Sequence, residues 1–265
     1  MAEQYKPRFM VRVSGRLERI LGGENAYMLV LAAFVGVLGG FGAVLFRELI
    51  DFFRAISYPG GYSLEALADT PWYWKVIPPA VGGMLVGPLV YFLAREAKGH
   101  GIPEVMNAVS NKGGQIRRRV MMVKTLASAL TIGTGGSVGR EGPIVQIGAG
   151  LGSSIGRLLG FEGNRLIILL GCGAAAGMAA TFNAPIAGVI VAIEIIIGSA
   201  SVTVFSPLVV ASVMGTVVAR FMFGDEPAFL NVHEYSLVSE VELGFYVILG
   251  VLAGFVATLF IRGIC

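Results

Sequence analysis

Long apolar runs alternate along the chain with short polar or glycine-rich interruptions. Ala26 to Phe46 is apolar for about 20 residues and predicts a helix that spans a membrane, continuing amphipathically to Ala55. Ile77 to Ala94, Val202 to Phe223 and Leu243 to Ile261 predict further spans of similar length. The pattern is typical of a polytopic all-α membrane protein.

The middle of the chain follows a different pattern, because its apolar runs are short or broken by glycine. Broken helices expose backbone N–H groups that hydrocarbon cannot satisfy, so they persist only where protein or a water-filled cavity supplies partners. Helix starts that meet near the midplane form an anion site, since each carries free N–H donors and partial positive charge. Three starts are marked by proline, which is favoured in a first helical turn: Pro103, Pro143 and Pro185. These features favour a transporter or channel.

Composition narrows the class of protein. The chain is 55% hydrophobic and 14% charged, with a mean hydropathy of +0.76, which excludes an ordinary soluble domain. A net charge of +3 is too small to indicate nucleic-acid binding. Cys172 and Cys265 lie far apart and provide neither a disulfide framework nor a metal-ligand spacing. We therefore expect no enzyme, no cofactor and no metal site.

The glycine-rich run Gly171–Gly177 superficially matches a dinucleotide-binding turn. Within about 20 positions the only acidic residue that follows is Glu194, which lies in an apolar run. Close packing of small residues between helices is the better interpretation.

Basic residues indicate the orientation. Residues 1–24 interleave basic and apolar positions and predict an amphipathic helix on the cytoplasmic membrane surface. Segments 95–98 and 112–119 are also basic, whereas 57–72 is acidic, so the positive-inside rule places the first three inside and the last outside. We expect a multi-pass protein of the plasma membrane with a cytoplasmic N-terminus.

The most unusual stretch is Gly133–Pro143, which reads GTGGSVGREGP. It holds Arg140 and Glu141 between apolar helices, and charges are kept there only for a purpose. A carboxylate beside a helix N-terminus is stabilised as an anion, and a competing anion would be held by the same N–H groups. Glu141 thus stands at the N-terminus of a broken membrane helix, on an anion path; the alternative is a carboxylate that only caps the helix.

Three motifs resemble a known family. Residues 99–103 (GHGIP), 139–143 (GREGP) and 182–188 (FNAPIAG) are similar to the signatures in the first half of CLC chloride channels and proton-coupled chloride exchangers. The resemblance implies an inverted-repeat fold with broken and tilted helices, and association as a homodimer. The resemblance begins at about residue 25, after the basic helix 1–24, and implies a first membrane repeat, 25–240, and the first helix of a second repeat, 241–265.

The resemblance also implies roles for single residues. Glu141 matches the family's gate. His100 stands where the family usually has serine; an imidazole can also donate a hydrogen bond, or it can turn away to the cytoplasmic water. The implied anion-binding residues are His100, Gly101, Ile102, Pro103, Gly139, Arg140, Gly142 and Pro143.

A second departure concerns protons. Proton-coupled members usually have two successive glutamates where this chain has Glu194 and Ile195, and an isoleucine cannot carry a proton. This favours channel-like transport of chloride or a similar anion, with Glu194 either structural or a candidate proton relay. Anion/proton exchange is the alternative. The family's second-half Gly-x-Phe-x-Pro motif has no counterpart here, so a truncated, non-conducting fragment or assembly partner that needs second-half pore elements is a further alternative.

Overall fold

The computed structural model describes residues 23–95, 99, 101–199, 201–225 and 239–264, and every regular element in these residues is a helix. Residues 1–22, which include nearly all of the predicted amphipathic surface helix, lie outside the described residues. The helices are α1 (Glu24–Ser57), α2 (Leu64–Asp69), α3 (Trp72–Leu93), α4 (Ile102–Asn111), α5 (Arg118–Gly133), α6 (Glu141–Leu158), α7 (Asn164–Phe182), α8 (Pro185–Val191), a π-helix (Ala192–Ile197), α9 (Val202–Phe223) and α10 (Val241–Ile264).

The all-α prediction is confirmed, and α1, α3, α7, α9 and α10 are each long and apolar enough to cross a membrane. The chain divides into two compact units, Met1–Ala228 and Phe229–Cys265. The first holds α1 to α9 and the second holds α10.

Two elements differ from the predicted pattern. The polar segment 57–72 contains the short helix α2, because Ser63 caps it by accepting a hydrogen bond from the backbone N–H of Ala66 at 3.1 Å. Helix α3 begins at Trp72 rather than Ile77 and carries prolines in its interior. Prolines are tolerated in membrane helices because neighbouring groups satisfy the freed carbonyls.

Small residues hold the core of the first unit together. In α7, the Gly171–Gly177 run is buried, and it packs against α6, α1 and α9. A Cβ on Gly148 of α6 would collide with the carbonyl of Gly173, and the reverse is also true. The helices can therefore approach only because both positions lack a side chain, which confirms small-residue packing as the role of this run.

The turn after α7 sends the chain back along the same bundle. Asn183 takes a left-handed conformation (φ 53°), and α8 starts two residues later at Pro185. Helix α8 then widens into the π-helix, which ends at Ile197 and is followed by the left-handed Gly198 (φ 72°). Short π-helices are rare and are frequently found at functional sites.

Candidate functional site

The starts of α4 and α6 lie directly against each other. Gly101, the residue before α4, has a φ of +94°, which favours glycine. A Cβ at this position would lie 2.8 Å from the carbonyl oxygen of Gly142 and 3.0 Å from Oε1 of Gln146. Only glycine fits this contact, and it brings together two of the three proline-marked starts, those of Pro103 and Pro143.

The backbone N–H groups at the start of α4 receive no side-chain cap within the described chain. Gly101 cannot supply one, and Pro103 has no N–H to satisfy. The acidic residue of the first turn, Glu104, forms an ion pair with Lys112 at 2.7 Å. The first turn therefore keeps the partial positive charge of a helix N-terminus.

A buried cation lies close to this turn. The side chain of Lys124 on α5 is only 8% exposed, and its Nζ donates a hydrogen bond to the carbonyl oxygen of Gly99. Gly99 also has a positive φ, +88°. The ammonium group adds to the positive potential two residues before Gly101. His100, which stands between these glycines in the sequence, lies outside the described residues.

Glu141 is the first residue of α6, and its side chain is exposed. The carboxylate folds back over Gly139, where an added Cβ would collide with Oε2. Gly139 is thus the surface on which this carboxylate rests. The other predicted residues lie at the same two helix starts: Ile102 is half-buried, Pro103 is exposed, Arg140 is half-buried, and Gly142 and Pro143 are buried.

Arg140 faces the end of α7. Its guanidinium carbon lies 5.9 Å from the centre of the Phe182 ring. Arg140 and Arg47 also line one small cavity of about 30 Å³ with otherwise mostly apolar walls, and Arg47 stacks over Phe223 at 4.1 Å. Two guanidinium groups therefore lie near the start of α6, each against an aromatic face.

The first residues of the Gly133–Pro143 stretch are attached to the end of α1 by a hydrogen bond. The hydroxyl of Tyr58, at the end of α1, donates a hydrogen bond to the carbonyl oxygen of Thr134 at 3.1 Å. Gly135 lies beneath this hydroxyl with a φ of +92°. Burial, and then the nearby Tyr62, raise the pKa of Tyr58 above its usual value of 10.0, so its proton is retained. Residues 133–135 thus fix the loop that carries Glu141.

The third proline-marked start has other neighbours. The carbonyl of Pro185 accepts a hydrogen bond from Ser212 on α9 at 2.6 Å. Asn183 accepts from Arg220 at 2.7 Å and donates to Asp225 at 3.2 Å. The starts of α4 and α6 therefore meet directly, and the short link after α7 ties the start of α8 to α9; that this third start faces the same anion stays a prediction.

Two further placements bear on the predicted site. Glu194 lies in the π-helix with an exposed side chain, as does Ile195 beside it, and the π-helix packs against α4. Gln146 is a site residue that the sequence reasoning missed: it is 1% exposed and faces Gly101. The available signal was one amide in the apolar run after Pro143.

A family model described as "Voltage gated chloride channel" matches residues 82–265. The chain belongs to this family. It is 33% identical to the H(+)/Cl(−) exchange transporter ClcA of Cronobacter sakazakii, over 89% of this chain and 51% of the relative. It is also 32% identical to the chloride channel protein CLC-e of Arabidopsis thaliana, over 85% of this chain and 33% of the relative.

Solved CLC structures share the fold. The crystal structure of a slow cyanobacterial Cl−/H+ antiporter superposes with a TM-score of 0.72 at 27% identity, covering 89% of this chain and 56% of that one. The family prediction and the CLC-type membrane fold are therefore confirmed. The chain spans about half the length, or less, of the relatives it matches.

Proposed function

We propose that this CLC-family chain forms part of a transmembrane pathway for chloride or a similar small anion, with Glu141 as the gate. The contact between Gly101 and the start of α6 carries this proposal. It brings two helix N-termini together beside the buried ammonium of Lys124, and such a place favours an anion. Glu141 is the first residue of α6, where its carboxylate and a chloride would compete for the same N–H donors.

The anion path runs along two short backbone segments. His100, Gly101, Ile102 and Pro103 line it on the α4 side. The second segment is Gly139, Arg140, Gly142 and Pro143. The bend of the Glu141 carboxylate over Gly139 supports a side chain that can leave the path when it is protonated or displaced.

Channel-like conduction is the first proposal for the mode of transport, because Ile195 cannot carry a proton. Anion/proton exchange is the second, since relatives named as H(+)/Cl(−) exchange transporters and Cl−/H+ antiporters support it. In an exchanger the exposed carboxylate of Glu194, on the π-helix that packs against α4, is the candidate relay.

Further proposals concern the assembly. Residues 25–240 form the first membrane repeat and 241–265 begin the second, so second-half pore elements complete the path. Two such subunits form a homodimer. The N-terminus, with the basic helix 1–24, lies on the cytoplasmic side of the plasma membrane. The opposing proposal is a non-conducting fragment or assembly partner.

Transport is tested in liposomes loaded with chloride, by following chloride efflux and proton uptake together. We expect chloride efflux from the wild type, and an efflux that no longer depends on pH in Glu141→Gln, because the amide cannot mimic an anion. Glu24→Gln is the matched control, since Glu24 is also an exposed carboxylate at the start of a helix. Efflux without protons supports a channel, and protons in fixed proportion support an exchanger. No flux in any variant would leave the assembly-partner proposal.

A further inference from the structure

The amide of Gln146 is buried in the site, and none of the described residues is its hydrogen-bond partner. Its side chain lies six residues into α6 and is 1% exposed. Among the residues that the structure describes, neither Nε2 nor Oε1 has a hydrogen-bond partner. Burying an amide with no partner costs free energy, and hydrocarbon offers no water to replace one. A ligand that forms hydrogen bonds with this amide would remove that cost.

The direction of this side chain is fixed by its contact with Gly101. The amide reaches the position where a Cβ of Gly101 would stand, at 3.0 Å from Oε1. It thus lies beside the first turn of α4, whose N–H groups have no side-chain cap within the described residues. An amide and a helix N-terminus that face the same point can donate hydrogen bonds to one acceptor.

The local charge decides what kind of ligand fits. Lys124 contributes a buried ammonium group hydrogen-bonded to Gly99, and the one acidic side chain in the first turn of α4, Glu104, is already paired with Lys112. The ammonium group and the N–H groups of α4 both contribute positive charge on this side of the amide, which disfavours a cation. A small monovalent anion satisfies the N–H donors of α4 and the NH2 group of Gln146 together.

We infer that the side-chain amide of Gln146 is a ligand of a small anion held at the start of α4. The inference rests on the proposed function and deepens it, by adding a side-chain donor to the backbone N–H groups. A half-turn of the amide exchanges NH2 and C=O within nearly the same shape, so Gln146 can face the anion with donors and then accept from water when the anion leaves.

Equilibrium binding separates this inference from transport. Chloride is titrated by calorimetry into the detergent-solubilised protein in a buffer with a large organic anion. Gln146→Met keeps the length of the side chain and removes both polar atoms; we expect its chloride affinity to fall about tenfold or more, the effect of losing one hydrogen bond to a charged group. Ser154→Ala is the matched control. Ser154 is also a buried α6 residue without a partner for its hydroxyl among the described residues, about 12 Å farther along the axis.

An unchanged affinity in Gln146→Met would overturn the inference and leave the proposed function intact. Wild-type protein that transports chloride but binds none would overturn it as well. If neither binding nor flux is found, both proposals fall. Equal losses in Gln146→Met and Ser154→Ala would assign the effect to helix packing and reject the ligand role.

A measurement without mutation covers the case in which Gln146→Met does not fold. In crystals of the wild type grown in bromide, anomalous diffraction locates the anion directly. We expect a bromide within about 3.5 Å of Nε2 of Gln146 and beside the first turn of α4. Bromide only at other positions, or a water between the amide and α4, would overturn the inference.

Discussion

Two contacts between glycines and a neighbouring backbone lie on the same helix, α6, and serve opposite purposes. Along its middle, Gly148 meets Gly173 of α7, and both backbones are hydrogen-bonded within their own helices. At its start, Gly142 meets Gly101, and the first turn of α4 keeps uncapped N–H groups within the described chain. The first contact is packing alone; the second leaves polar groups for a ligand.

The difference between these two contacts shows that glycine has two separate roles in this fold. Glycine allows close approach in both contacts, but only at the helix start does the approach collect unsatisfied donors at one point. Substituting a glycine of the packing contact should therefore lower the stability of the fold. Substituting a glycine of the contact at the helix start should lower the affinity for the anion.

The largest expected effect is on the packing contact. Gly173→Val places a side chain against the carbonyl of Gly148, which belongs to a helix backbone and cannot turn aside. We expect a loss of at least about 3 kcal/mol, the upper range for overpacking, and mostly aggregated protein in size-exclusion chromatography. Gly83→Val is the control, because a Cβ at Gly83 meets nothing within 4 Å. Equal behaviour of the two variants would contradict the comparison.

The second effect sharpens the comparison at the helix start. Gly101→Ala forces a side chain into a left-handed conformation and against Gly142 and Gln146, so α4 must move away from α6. We expect chloride affinity, measured by calorimetry, to fall more than about tenfold, with a loss of stability of about 1–3 kcal/mol. Gly163→Ala is the control. Gly163 also precedes a helix with a positive φ (+61°), but a Cβ there meets nothing within 4 Å. A Gly163→Ala protein that loses affinity equally would refute the prediction.

Much of this architecture could be predicted from periodicity. The bounds of α9 match the apolar run from Val202, and α4 and α6 begin within two residues of the proline in their motifs. Such features are local, since a run of apolar residues or a proline acts on its own segment.

Other features depend on contacts distant in sequence. The pairing of Gly101 with Gly142 and Gln146 forms only when α4 packs on α6, and no pattern within either segment records it. The role of Tyr58 likewise follows from a hydrogen bond to a residue 76 positions away. Asn183, just before α8, is likewise hydrogen-bonded to Arg220 and Asp225, 37 and 42 positions away.

A third prediction concerns the contact at the start of α4, and it is tested by measuring proton transport. Ile195→Glu restores a carboxylate at an exposed position of the π-helix that packs against α4. We expect proton uptake to accompany chloride efflux in liposomes, where the wild type shows little. The glutamine of Ile195→Gln has nearly the shape of a glutamate but exchanges no proton, so this variant should behave like the wild type. Coupling in the wild type itself would refute the inference from Ile195.

The smallest effect concerns the loop that carries Glu141. Tyr58→Phe removes the hydrogen bond to Thr134 and should lower stability by about 1 kcal/mol, measured by thermal unfolding in detergent. Chloride affinity should not change. Because burial raises the pKa of Tyr58, the contribution is complete below pH 10.0 and is lost as the pH rises through the higher folded-state value. A difference from the wild type that varies between pH 6 and 8 would contradict this assignment.

The two left-handed glycines, Gly99 and Gly101, have a consequence for protein engineering. They take backbone conformations that other residues avoid, so a library that varies this turn should keep both glycines fixed. A variant that replaces either glycine would report on backbone strain before it reports on anion selection.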